Sequence, residues 1–175
     1  MKKKVLFIVI VLLLVSGAGF MIYQATKGTG EETKEETTNS VATKKSDKET
    51  AYVNKDAKLS DITKEDGVVN IYMFWGNGCP HCKAEWEFLE SIRKEHAGEF
   101  AVYGFEVWYS SENRELLNIF ASGVGASEVT SVPLTIIGDE VISGFGTAET
   151  TGKEILNLIE AKRKTSFDVY FDKIK

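Results

Sequence analysis

Cysteine, proline and histidine are scarce in this 175-residue chain, which has two of each. Both cysteines lie in one stretch, 74–83 (FWGNGCPHCK), so a framework of several disulfides is excluded. A structural zinc site needs about four ligands. The chain offers Cys79, Cys82, His81 and His96 and has no second CXXC pair. We therefore predict no metal and no cofactor.

Two further classes of function are excluded by what the chain lacks. Covalent haem attachment uses the pattern C-x-x-C-H, and Lys83 stands where that histidine would be. A nucleic-acid partner requires a basic patch, whereas the chain has a net charge of -5. A purely structural disulfide across two residues would close little chain and add little stability. The pattern therefore favours a redox pair.

The first 25 residues have the composition of a membrane segment. Three lysines precede the apolar run VLFIVIVLLLVSGAGFMIY, which is about long enough to span a bilayer. The flanking lysines place the N-terminus in the cytoplasm and the rest outside. An uncleaved anchor at 1–25 is favoured, because residues 20–23 continue the apolar run. The alternative is a signal peptide cut after Ala18, and both predict an extracytoplasmic domain, where disulfides persist.

Residues 26–50 have a different composition, dominated by Thr, Glu, Lys, Ser and Gly, with no aromatic residue. Such a segment cannot bury enough apolar surface to offset the entropy of ordering. We predict a flexible polar linker there and a folded domain over 51–175.

The folded part has hydrophobic patterns that alternate between strand and helix. The patterns predict the order β-α-β-α-β-β-α, which fits an α/β fold with a mixed sheet and helices on both faces. Residues 51–59 can add an edge strand, and the tail 167–175 is left unassigned. The predicted elements are strand 68–75, helix 80–96, strand 100–108, a helix capped by Ser110 or Ser111 and stopped by Gly123, a hairpin with its turn at 138–140, and a helix opened by a capping box at Thr151–Glu154.

The first predicted helix is amphipathic. Trp86, Leu89 and Ile92 fall on one face at helical spacing. The charged residues are assigned to the remaining surface: Lys83, Glu85, Glu87 and Glu90.

The cysteine pair lies where a buried strand ends and this helix begins. Pro80 suits the first helical position, which makes Cys79 the N-cap. Its sulfur then lies near free backbone N–H groups at the positive end of the helix dipole, where a thiolate is stabilised and nucleophilic. Cys82, one turn later and more shielded, is predicted to resolve the mixed disulfide. His81, when cationic or donating a hydrogen bond, would further stabilise the Cys79 thiolate.

These residues resemble a known family. The motif FW-x-x-x-CPHC at a strand-to-helix turn is similar to the active site of the thioredoxin superfamily, and the dipeptide Pro80–His81 is the one carried by DsbA-type disulfide oxidants. The segment SVPLTIIGDEVISGFG resembles the cis-proline loop and β-hairpin of the same superfamily. The resemblance covers about residues 68–160 and implies a thioredoxin-like fold. It also implies that Pro80 and His81 tune the acidity of the thiol and the redox potential.

The second motif implies a substrate-binding element. By resemblance, Pro133 is cis, and the backbone of Val132 pairs with the substrate backbone. Trp75 is expected in the core, with the alternative that it borders the active-site surface and contacts substrate.

The chain departs from the superfamily at one functional position. Many members carry a buried Asp or Glu six residues before the first cysteine, which moves a proton to or from the second cysteine. Met73 stands there, so another group or water must serve, or deprotonation of Cys82 is slow. Glu106, at the end of a strand, is either a paired structural charge or a group that acts on substrate or protons.

Together these features predict an extracytoplasmic thiol–disulfide oxidoreductase. The expected partners are protein thiols or disulfides and a membrane redox partner. The dipeptide favours a thiol oxidase that forms disulfides. The alternatives are a membrane-tethered reductase, for example in cytochrome maturation or thiol repair, and a non-catalytic accessory domain of thioredoxin shape.

Overall fold

The computed structural model describes residues 49–126, 129 and 131–175. The predicted anchor at 1–25, and the predicted linker at 26–50 except for its last two residues, lie outside this part of the chain. Among the described residues, no helix combines the length and the apolar character needed to cross a membrane.

The described chain forms five strands and three α-helices in the predicted order, with an edge strand in front. The strands are β1 (Tyr52–Asn54), β2 (Val69–Trp75), β3 (Phe100–Glu106), β4 (Leu134–Ile137) and β5 (Glu140–Ser143). The helices are α1 (Pro80–Ile92), α2 (Ser111–Gly123) and α3 (Lys153–Lys162).

The strands form one mixed sheet in the order β1-β3-β2-β4-β5. The neighbours β1, β3 and β2 are parallel, whereas β4 runs antiparallel to β2 and β5 antiparallel to β4. Trp75 pairs with Glu106, and Phe74 pairs with Leu134. The carboxyl ends of β2 and β3 and the start of β4 therefore meet at one edge of the sheet.

Helices cover both faces of this sheet, as predicted. Alternate residues of a strand point to opposite faces. Ile71 and Met73 of β2 pack in one core with apolar residues of α1 and α3. Tyr72 and Phe74 pack in a second core with apolar residues of α2. Because alternate side chains of β2 pack into two different cores, neither face of the run 68–75 is exposed.

Two predicted elements end earlier in the structure. Helix α1 ends at Ile92 rather than at residue 96, and the carbonyl oxygen of Arg93 accepts a hydrogen bond from the N–H of Ala51 at 2.9 Å. Strand β3 ends at Glu106 rather than at residue 108, and the Glu106 carboxylate accepts the N–H groups of Trp108 and Tyr109 in the turn that follows.

The predicted capping box at Thr151–Glu154 is wrong. A wide helical turn, Ala148–Gly152, precedes α3, and the hydroxyl of Thr150 accepts the N–H of Thr147 at 3.0 Å. The hydroxyl of Thr151 instead accepts the N–H of Gly146 at 3.1 Å. Several neighbouring threonines can each cap the segment, and backbone geometry decides among them. The predicted cap of α2 is confirmed, since the Ser110 hydroxyl accepts the N–H of Asn113 at 3.1 Å.

The unassigned tail packs onto the α2 face of the sheet. Asp168 is buried, and its carboxylate accepts hydrogen bonds from the Asn70 amide at 2.9 Å and from the Tyr72 hydroxyl at 2.8 Å. Burial and the neighbouring carboxylate raise the pKa of Tyr72, which keeps its phenol protonated as a donor. The tail is therefore fixed by polar contacts that hydrophobic periodicity cannot reveal.

Candidate active site

Cys79 is the N-cap of α1, as the position of Pro80 predicts. Its backbone is extended, and Pro80 is the first helical residue. The sulfur of Cys79 accepts a hydrogen bond from the backbone N–H of Cys82 at 3.1 Å. Backbone N–H groups at a helix N-terminus favour negative charge. The same hydrogen bond can therefore stabilise a thiolate once the sulfur is reduced.

The two cysteines are joined in a disulfide, with their Cα atoms 5.3 Å apart. Cys79 is 6% exposed and Cys82 is 1% exposed. The outer sulfur is thus the one that a partner can approach, and Cys82 lies deeper, as predicted. The Val132–Pro133 peptide bond is cis, also as predicted. The carbonyl oxygen of Val132 lies 3.8 Å from the sulfur of Cys79, because the sheet register brings the start of β4 beside the end of β2.

His81 lies on the exposed first turn of α1 and points to the loop after β5. Its Nδ1 is 2.8 Å from the carbonyl oxygen of Phe145. A carbonyl oxygen only accepts, so Nδ1 donates and carries a proton. The neutral ring therefore has its free lone pair on Nε2, and the contact fixes the ring near the rim of the site.

Trp75 is half-buried and borders the site rather than filling the core. Its indole N–H donates to the carbonyl oxygen of Lys55 at 2.9 Å, and its ring meets that of Trp86 edge to face, with centroids 6.2 Å apart. Both rings line an open cavity of about 420 Å³ that also contacts both cysteines. Trp75 therefore lies at the border of the active-site surface, which was the alternative to a location in the core. The cavity offers an apolar surface beside the disulfide.

Glu106 connects two loops at the edge of the site. Its carboxylate accepts backbone N–H groups from Asn77 at 3.2 Å, Trp108 at 2.9 Å and Tyr109 at 2.9 Å. Desolvation acts to raise the pKa of Glu106, but the backbone hydrogen bonds outweigh it and lower that pKa. The Glu106 carboxylate therefore acts as a structural acceptor, and these partners are backbone N–H groups.

The loop that Glu106 holds also carries an exposed aromatic pair. Trp108 and Tyr109 are 49% and 80% exposed. A side chain at Gly76 would meet the ring of Trp108, so the absence of a Cβ lets this ring cover the start of the active-site loop.

Glu106→Ala is expected to loosen the active-site loop. The half-buried carboxylate contributes less than a fully buried one would, and we expect its loss to raise amide hydrogen exchange at Asn77 and Trp108 about tenfold. Glu115→Ala, an exposed carboxylate on α2, is the matched control. Exchange rates that stay at the wild-type value in Glu106→Ala would show that the loop is held by other contacts.

Glu85 is the site residue that sequence analysis placed wrongly. It is 0% exposed rather than on the outer surface of α1. The hydroxyl of Thr135 on β4 donates to its Oε1 at 2.5 Å, and its Oε2 has no hydrogen-bond partner among the described residues. Burial raises the pKa of Glu85 to about 7, against the lowering effect of the Thr135 hydrogen bond. The available signal was spacing, because residues 82, 85, 89 and 92 follow a 3-4-3 pattern on one helix face.

The metal-ligand candidates are not grouped in the structure. No cluster of three or more His, Cys, Asp or Glu side chains suited to a metal occurs in the part of the chain described, residues 49–126, 129 and 131–175. His81 lies at the start of α1, and His96 lies beyond its end, where Nδ1 is 2.8 Å from Glu99. A helix of this length separates the two imidazoles by roughly 20 Å.

Comparison with known proteins gives structural matches only. No family model and no curated protein matches this sequence. A solution structure of an uncharacterised thioredoxin-like protein from Clostridium perfringens matches with a TM-score of 0.44 and 22% identity, covering 67% of this chain and 89% of that one.

Two glutaredoxin structures also match. Glutaredoxin 1 from Francisella tularensis, complexed with cacodylate, has a TM-score of 0.35 and 25% identity, covering 51% of this chain and 98% of that chain. A glutaredoxin from Archaeoglobus fulgidus has a TM-score of 0.36 and 26% identity, covering 50% and 86%. The strand order, the cis-proline loop before β4 and the cysteine pair at the start of α1 identify the fold as thioredoxin-like with a CXXC-spaced disulfide.

Proposed function

We propose that this protein is a thiol–disulfide oxidoreductase in which Cys79 is the nucleophile and Cys82 the resolving cysteine. The observation that carries the proposal is the position of the Cys79 sulfur, which caps α1 and accepts the Cys82 N–H at 3.1 Å. A hydrogen bond from a backbone N–H is stronger when its acceptor is charged. The site thus favours the reduced pair with Cys79 as thiolate, and stabilising the reduced form makes a disulfide more oxidising.

The favoured direction is oxidation of protein thiols. A substrate thiolate attacks the sulfur of Cys79, a bond forms between these sulfurs, and the Cys79–Cys82 bond breaks. Cys82 leaves as a thiolate and takes up a proton. A second substrate thiol loses its proton and attacks the substrate sulfur of the mixed disulfide, releasing Cys79. Two electrons pass from the substrate dithiol to the cysteine pair. One proton ends on Cys82, Cys79 is released as a thiolate, and any other proton of the substrate dithiol goes to solvent. A membrane-bound disulfide oxidant restores the pair.

The proposed setting is the outer face of a bacterial membrane, with the N-terminal segment as anchor. The apolar run after Lys2–Lys4 supports this setting. Substrate backbone would pair with Val132 beside the cis-proline, and an apolar substrate side chain would enter the cavity lined by Trp75 and Trp86. Open cavities lined by aromatic residues are suited to such side chains.

The redox potential of the pair tests the direction. In glutathione buffers we expect the full chain to have a potential more positive than about -200 mV. His81→Ala is expected to lower the potential by about 30 mV, a tenfold change in the exchange equilibrium, and His96→Ala serves as the matched control. A wild-type potential below about -250 mV would assign the protein to the reductases instead.

A further inference from the structure

Glu85 is a buried acid that takes no part in the bond changes between Cys79, Cys82 and the substrate sulfurs. It is 0% exposed, and its Oε2 lacks a hydrogen-bond partner among the described residues. Leaving a buried polar atom unpaired is destabilising, so a glutamate at this position is not explained by stability. Cys82 lies three residues earlier on the same helix, and both side chains are on its buried face. Residues three apart on a helix are neighbours.

The sheet places this carboxyl group beside the position that lacks an acid. Met73 and Thr135 are direct partners in the antiparallel pair of β2 and β4. The side chains of directly opposite residues lie on the same face of a sheet. Because Thr135 points to α1 and donates to Glu85, Met73 must point to the same layer, and it packs in one core with Cys82. The acid missing from β2 is thus supplied from the helix, into the same layer beneath the disulfide.

We infer that Glu85 moves the proton of Cys82 during disulfide exchange, directly or through one water, an inference that rests on the proposed function. When a mixed disulfide on Cys79 is resolved, the Glu85 carboxylate takes the proton of the Cys82 thiol. The Cys82 sulfur then bonds to that of Cys79, and the substrate leaves as a thiolate. When a substrate thiolate opens the Cys79–Cys82 disulfide, the protonated Glu85 returns its proton to the departing sulfur of Cys82.

Other titratable groups do not compete for this role within the described residues. The buried polar residues of the described chain are Asn70, Glu85, Thr135 and Asp168. Asn70 and Asp168 belong to the network on the opposite face of the sheet. On the Glu85 face, β2 presents Ile71 and Met73, β4 presents Thr135 and Ile137, and α3 presents Ile155 and Ile159.

The surroundings of Glu85 also suit proton transfer in both directions. The Lys55 ammonium lies over the Trp86 ring, 5.5 Å from its centroid. Within the part of the chain that the structure describes, burial and the Thr135 hydrogen bond set the pKa of Glu85, and no cation contributes. Burial sets that pKa at about 7, so both protonation states are populated near neutral pH. A proton carrier works best when its pKa is close to the working pH.

The test separates the two steps of the reaction. Reduced full-length protein in detergent is mixed with oxidised glutathione and quenched with acid, and the masses of the reduced, glutathionylated and disulfide forms are followed with time. In Glu85→Gln, which keeps an acceptor for Thr135, we expect the mixed disulfide to form at the wild-type rate. We expect its conversion to the Cys79–Cys82 disulfide to slow by about 100-fold. Glu87→Gln, an exposed residue on the same helix, is the matched control.

The pH profile distinguishes proton transfer from a purely structural role. Wild-type ring closure should level off above about pH 7, where the Glu85 carboxylate is formed. In Glu85→Gln the rate of ring closure should instead keep rising with pH as the Cys82 thiol loses its proton. Adding Met73→Glu to the Glu85→Gln variant should restore part of the lost closure rate. Equal closure rates and pH profiles in Glu85→Gln and wild type would overturn the role of Glu85. Failure of the wild-type protein to form any mixed disulfide would instead overturn the proposed function itself.

Discussion

Replacing Cys79 by serine is expected to reduce disulfide exchange by at least about two orders of magnitude, to the uncatalysed rate. Cys79 provides the more accessible sulfur and the one that caps α1, so no other group can form the mixed disulfide. Cys82→Ala should behave differently: it should react with one equivalent of substrate and then stop, because nothing resolves the adduct. Mass spectrometry of the quenched reactions distinguishes the two outcomes.

The Cys82→Ala protein is also the control for loss of the disulfide. It lacks the Cys79–Cys82 bond, as Cys79→Ser does, yet should retain a reactive thiol at Cys79. If both variants failed to form adducts while remaining folded, the nucleophile assignment would be wrong. If Cys79→Ser kept full turnover, Cys79 would not be the nucleophile. If the wild-type protein itself showed no turnover, the non-catalytic accessory role would account for the chain better than exchange does.

The second large effect is a dependence of stability on pH that comes from Glu85. In the unfolded chain its pKa is about 4.5, and burial raises it to about 7 in the folded protein. Between these values the folded state binds more protons than the unfolded state, so the free energy of unfolding falls as pH rises. The rise of the pKa from about 4.5 to about 7 corresponds to about 3 kcal/mol in the free energy of unfolding. This stabilisation is present at pH 4.5 and is fully lost above about pH 7.

Glu85→Gln should remove this slope because the amide does not ionise. Denaturant unfolding of the oxidised protein at pH 4.5 and at pH 8 measures it, and the variant is expected to gain up to about 3 kcal/mol relative to wild type between these conditions. Groups with lowered pKa values, such as Glu106 and Asp139, change stability in the opposite sense. Their effect cancels because both proteins contain them, and Glu87→Gln should show the wild-type slope. A variant with the full wild-type slope would show that Glu85 is not the group responsible.

Much of the fold follows from local patterns in the sequence. The buried run of β2, the glycines after it and Pro80 at the start of α1 are short-range signals. They place Cys79 at a helix N-cap without any tertiary information. The element order then leaves few arrangements, because parallel strands need a crossover and the antiparallel hairpin does not.

Polar contacts over long sequence separation could not be predicted in this way. Glu85 is surrounded in sequence by charged residues that are exposed, so its charge argues for the surface although its spacing argues for the core. Its burial depends on Thr135, a hydrogen-bond donor 50 residues away. Asp168 similarly binds residues of β2 nearly 100 positions earlier, with separations of 98 and 96 residues to Asn70 and Tyr72. Hydrophobic periodicity predicts which face of a helix is apolar. It does not predict which acidic residue on that face is buried against a hydrogen-bond donor.

Stoichiometric oxidation of a dithiol tests directly whether the Cys79–Cys82 pair oxidises protein thiols. Oxidised full-length protein is mixed anaerobically with a reduced peptide that contains two cysteines, and the peptide disulfide is counted against the loss of the Cys79–Cys82 disulfide. We expect one peptide disulfide to form for each protein disulfide consumed, through an adduct on Cys79. No peptide oxidation above the protein-free background, with the Cys79–Cys82 disulfide intact, would contradict it.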